Sequence, residues 1–89
     1  MEDNSQLIKS LLSEINPVEQ SKVDARMEIA ARIASAMETK GWGNEDLENA
    51  FGINSFLARK WLSGTHNFSM DTLVEIEHTL NLRLLIKKE

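Results

Sequence analysis

Apolar residues recur along this chain at helical spacing, and the breaks between runs carry cap and turn residues. Between Gln6 and Ile15, the positions Leu7, Ile8, Leu11, Leu12 and Ile15 are spaced i, i+1, i+4, i+5, i+8. That spacing predicts an amphipathic helix within residues 1–16. It stops before Asn16-Pro17, because proline cannot continue a helix and restricts the residue before it. Asn16, Pro17 and Glu19 then read as a helix start: a cap, a proline at the first position and an acid that can reach back.

The helix they open is predicted to run to about Lys40. Val23, Met27, Ala30, Ala34 and Met37 recur every three or four residues, and Ile29 and Ile33 widen the stripe. Lys40-Gly41 suits the C-terminus, with a cation in the last turn and a glycine free to take positive φ. Trp42 stands where an apolar residue folds back on such a cap. Either Gly43 or Asn44 caps a short third helix, Glu45 to Phe51, with Leu47, Ala50 and Phe51 as its apolar face. Glu45 and Asp46 fall in its first turn, where the helix dipole favours acids.

Gly52 ends that helix, and Asn54 can cap a fourth that runs to about Leu62 with Ala58, Trp61 and Leu62 inward. Ser63-Gly64 closes it, and residues 65–68 form a loop. Ser69 caps a fifth helix, Met70 to about Leu80, striped by Leu73, Ile76 and Leu80, with Asn81 at its end. The tail, residues 82–89, reads as extended, with Leu82, Leu84 and Ile86 on one face of a candidate strand. A lone strand leaves its backbone unpaired. The tail therefore pairs with another chain or continues as irregular structure.

These elements divide the chain into an N-terminal amphipathic helix (1–16), a helical domain (17–81) and an extended tail (82–89). The fold class expected is all-α, a five-helix bundle.

Composition narrows the function classes. The chain has 89 residues, 42% hydrophobic and 27% charged, with no Cys. Disulfides and thiolate metal sites are excluded. No stretch reaches the ~20 apolar residues that cross a bilayer. The acidic start, Met1-Glu2-Asp3-Asn4, lacks the basic region of a signal peptide, so a cytoplasmic location and no membrane partner are expected. The net charge is −4, whereas nucleic-acid binders are usually basic. The distribution of charge decides more than the sum.

No enzyme is expected. Glu75 and Glu77 are two apart and point different ways on a helix, so they make no acid–base pair. His66 and His78 lack partners at metal-ligand spacing, and the Met27/Met37 stripe reads as packing. No glycine-rich phosphate loop is present. No cofactor and no metal are expected.

What remains is the unit from Asn44 to Leu62, two short helices joined by the turn Gly52-Ile53-Asn54. Such a turn needs a residue comfortable at positive φ, which Gly52 supplies. Here the chain resembles a known family. Residues 32–80 are similar to the XRE-like helix-turn-helix family of Cro and phage-repressor type. Residues 32–41 resemble its first helix. Leu47, Phe51, Gly52, Ile53, Trp61, Leu62, Ser63 and Gly64 fall on its framework positions, and Asp71-Thr72-Leu73 with Ile76 and Leu80 resembles its closing helix. The resemblance covers about half the chain. It implies a lambda-repressor-like domain with an added N-terminal helix, a homodimer, and double-stranded DNA as partner. Some family members are antitoxins, and the short chain with its N-terminal segment is similar to that branch, which implies a toxin protein as a further partner.

Carried onto this sequence, the family pattern makes Asn54, Ser55, Phe56, Arg59 and Lys60 the exposed face of the recognition helix. Arg59 can contact guanine O6 and N7 in bidentate fashion, and Lys60 can neutralise a phosphate. Asn54 and Ser55 can bond to bases or phosphates, and Phe56 can touch a thymine methyl. Asn44 matches a phosphate-contact position, and Thr65, His66 and Asn67 can reach a neighbouring phosphate. The residue types alone also fit plainer roles: Arg59-Lys60 as a solvated face, and Phe56 as core or dimer surface. Trp42 and Trp61 stand on apolar faces and read as core.

The chain departs from the family at two places. Glu48 stands where a small residue usually packs the two helices together, and Ala58 where a larger aliphatic is usual. A buried, unpaired Glu is costly, so either the helices sit apart or Glu48 turns outward, toward Arg59 or Lys60. The chain thus supports two functional readings. One is a sequence-specific transcriptional repressor. The other is an antitoxin or protein-binding module that neutralises a basic partner, with weak or no DNA binding.

Overall fold

The computed structural model describes residues 17–85. Four helices follow one another: α1, Pro17–Lys40; α2, Asn44–Phe51; α3, Ser55–Ser63; and α4, Met70–Leu80. The all-α class stands, but the expected five-helix bundle is corrected to four helices among the described residues. The helix expected in residues 1–16, the Asn16 cap and Ile86 lie outside them. No helix of the described residues is long and apolar enough to cross a membrane.

Each helix ends where local chemistry directs. Gly41 takes φ 73°, and the Trp42 amide donates to the Met37 carbonyl at 2.8 Å, the backbone pattern of a left-handed helix cap. Asn81 takes φ 56°, and its neighbour Leu82 donates to the Glu77 carbonyl at 3.1 Å. At the start of α4, the Ser69 hydroxyl accepts from the Thr72 amide at 3.2 Å.

The core joins all four helices. Ile33 and Met37 of α1, Leu47 of α2, Ala58 and Trp61 of α3, and Ile76 and Leu80 of α4 form one buried cluster. Half-buried Trp42, Phe51 and Phe68 pack against it. No polar or charged residue is buried among the described residues.

Two expected apolar faces need correction. Within α1 only Ala30, Ile33 and Met37 are buried, and Val23, Met27 and Ala34 are exposed. The α1 helix is about 36 Å long at 1.5 Å per residue, and its buried residues all lie in its C-terminal half. In α2, Ala50 is exposed while Glu48 is half-buried. The buried face of α2 is therefore centred on Leu47 and Phe51 and turned toward Glu48.

Residues 82–85 form no strand. They stay irregular and lie against their own chain. One carboxylate oxygen of Glu77 accepts from the amides of both Leu84 and Leu85 at 2.7 Å. Arg32 Nη1 donates to the Arg83 carbonyl at 3.0 Å. Leu82 and Leu84 pack against the core. Side chains thus satisfy the backbone that a sheet neighbour would otherwise pair.

Candidate nucleic-acid interface

The α2–α3 unit begins with its turn. Gly52 lies in the left-handed region at φ 64°, ψ 37°, and its N–H donates to the Glu48 carbonyl. The Ile53 amide donates to the same carbonyl at 3.1 Å. Asn54 is the N-cap of α3, where its Oδ1 accepts from the Leu57 amide at 2.8 Å. That cap commits the Asn54 side-chain oxygen to the fold and leaves its amide nitrogen as the donor available outside.

The inner face of α3 is Leu57, Ala58, Trp61 and Leu62, with Ala58 and Trp61 buried and the leucines half-buried. Trp61 is the anchor. Its ring centroid lies 5.2 Å from those of both Phe51 and Phe68, in tilted and edge-on contacts that aromatic rings favour. The indole N–H is buried with no hydrogen-bond partner among the described residues, so the anchoring is apolar.

The outer face is one continuous row. Ser55, Phe56, Arg59, Lys60 and Ser63 are exposed at i, i+1, i+4, i+5, i+8. Ser63, which the resemblance assigns to the framework, extends the exposed row; its signal in the sequence is the same spacing continued by one turn. The row contains two cations and no acid. Neither Arg59 nor Lys60 makes an ion pair among the described residues. Lys60 Nζ stands 6.0 Å from the centre of the Phe56 ring, at the outer limit of a cation–π contact. Phe56 is 68% exposed, which removes it from the core.

Glu48 does not take up these cations. It sits half-buried on α2 and makes no ion pair with Arg59 or Lys60. Of the other acids in the unit, Asp46 is occupied as a cap, with its Oδ2 accepting from the Gly43 amide at 2.8 Å. Gly43 is the N-cap of α2, which makes Asn44 its first helical residue, exposed.

The loop after α3 presents its predicted residues unequally. The Thr65 and Ser63 hydroxyls lie 2.7 Å apart, and Ser63 also donates to the Lys60 carbonyl. Asn67 is exposed. His66 is half-buried, its ring edge-on to Phe68 at 4.7 Å and tilted to Trp61 at 6.1 Å. Burial, and then the nearby Lys60 charge, push its pKa below the usual histidine value. Both causes favour the neutral imidazole.

Asn54, Ser55, Phe56, Arg59 and Lys60 thus lie together along α3, Thr65–Asn67 follow its C-terminus, and Asn44 stands at the start of the neighbouring helix. No protein-family model matches the chain, and no curated protein or solved structure matches it significantly.

Proposed function

We propose that this protein is a sequence-specific DNA-binding transcriptional regulator, acting as a dimer with α3 in the major groove. The observation that carries this reading is the outer row of α3. It is exposed, free of acids and headed by two cations without ion-pair partners, while the opposite face is locked by Trp61. A helix entering the groove needs that division of labour, and α2 behind it supplies the brace. Arg59 reads guanine, Lys60 and Asn44 hold phosphates, and Ser55 and Phe56 sample neighbouring base edges. Two subunits would read half-sites about 34 Å apart, one helical turn. Repression would then result from occlusion of a promoter.

Selection of bound sequences from a random duplex pool at about 0.1 M salt, where screening is already substantial, tests it. An inverted repeat is expected; recovery of all sequences alike overturns it. Arg59→Ala is expected to cost about 1–3 kcal/mol on the selected site and to relax one base position.

A second reading, a protein-binding module that neutralises a basic partner, is favoured by the uncovered apolar residues of α1: Val18 is 64% and Met27 57% exposed. The same pool returning nothing favours this reading.

A further inference from the structure

An open groove of about 370 Å³ runs between the C-terminal half of α1 and the segment that follows α4. Its volume falls at the lower end of small-molecule sites, roughly 300–1,000 Å³. No residue of α2, α3 or the loop between α3 and α4 lines it. It is therefore separate from the candidate DNA interface, and its chemistry is independent of whether α3 meets DNA.

The lining has a defined chemistry. Arg32, Lys40 and Arg83 contribute three cationic groups, and no carboxylate lines the groove among the described residues. Among the described residues one acid pairs with them: Glu28 Oε2 lies 3.0 Å from Arg32 Nη2. Lys40 and Arg83 make no ion pair among the described residues, so two positive charges are left over. Ser35 and Asn81 add polar side chains that make no hydrogen bond among the described residues, and Leu80 and Leu82 supply apolar surface. The far wall is fixed before any ligand arrives. Arg32 holds the Arg83 carbonyl at 3.0 Å, and Glu77 holds the next two amides at 2.7 Å.

Two uncompensated cations match a phosphate monoester, which carries close to two negative charges at pH 7 and accepts hydrogen bonds at three oxygens. Guanidinium groups suit its geometry. The leucines match an apolar body attached to it. We propose that this groove binds a phosphate monoester with an apolar substituent, its phosphate between Lys40 and Arg83 and its body against Leu80 and Leu82.

The test is a titration of the full chain with hexyl phosphate, monitored through the backbone amide NMR signals, with inorganic phosphate and hexanol in parallel. Hexyl phosphate is expected to shift Ser35, Asn81 and Leu82 saturably and to bind more tightly than either control. Loss of one charged hydrogen-bonding partner weakens binding roughly tenfold or more. Lys40→Gln with Arg83→Gln should do at least that while the far-ultraviolet circular dichroism stays unchanged. Both side chains are exposed, and the single Lys40→Gln variant serves should the double one lose structure. No saturable shift overturns the proposal, as does unchanged binding by the variants. Equal binding of inorganic phosphate reduces the groove to an adventitious ion only, and equal binding of hexanol removes the role of the cations. Shifts confined to α3 assign the phosphate to the DNA interface instead.

Discussion

The two halves of α1 are written in the same pattern and meet different ends. Val23 and Met27 continue the stripe of Ala30 and Met37, yet the first pair is exposed and the second buried. The C-terminal half adds Ile29 and Ile33 to the stripe, and it is also the half that meets neighbours. In the C-terminal half, α3 and α4 stand against the helix and bury Ile33 completely. In the N-terminal half no residue from 17 to 29 is buried. Helical periodicity reports which face is apolar, and only a neighbour turns that face into core.

The largest effect expected from this contrast is Ile33→Ala. A fully buried aliphatic truncated to alanine costs about 2–5 kcal/mol, whereas Val23→Ala, 38% exposed, should stay within about 0.5 kcal/mol. Urea unfolding of both variants checks it. A Val23→Ala cost as large as that of Ile33→Ala would show the N-terminal half to be covered in solution.

Two glycines sharpen the boundary between the halves. Gly52 and Gly64 both have positive φ, 64° and 82°. A Cβ at Gly52 would meet nothing within 4 Å, but at Gly64 it would come within 3.0 Å of Met27 Cγ and 3.2 Å of Met27 Cα. The backbone cost is common to both, about 1–2 kcal/mol. Gly64→Ala should therefore cost more than Gly52→Ala in thermal melts, because the α1 backbone stands against it. Equal costs would mean that α1 moves aside freely at Met27.

The smallest effect belongs to the rim of the body, at His66. Its folded pKa lies below the value near 6.5 of an unfolded chain. Between the two values the unfolded chain binds more protons, so stability rises with pH across that window and levels off above about 6.5. As pH falls through it, the penalty of charging a half-buried ring beside Lys60 is felt in full. Melts from pH 5 to 8 should show a shallow slope there that His66→Gln flattens, while a slope unchanged by the substitution would place its origin elsewhere.

How much of the site was legible is seen at particular residues. Gly41, Gly52, Asn54, Gly64, Ser69 and Asn81 stand at the helix ends expected of them, because capping is settled within a few residues. The outer row of α3 was legible too, since Ala58 and Trp61 fix which way a nine-residue helix faces. Glu48 was legible as an oddity but not in its outcome. The spacing allowed it to turn toward Arg59 or Lys60, and in the fold it is half-buried and pairs with neither.

By itself the sequence determined the four helices among the described residues, the caps that end them and the polar row of α3, all consequences of bonds and spacings within about two turns. The tertiary structure alone decided that the apolar face of α2 turns from Ala50 toward Glu48. It alone decided that Glu77 and Arg32 hold the segment after Asn81 against the body, and that Arg32, Lys40 and Arg83 share one groove. Arg32 and Arg83 are 51 residues apart in the chain, and no local periodicity carries their contact. It exists because α1 and α4 bury Ile33 and Ile76 in one core and so bring their polar flanks together.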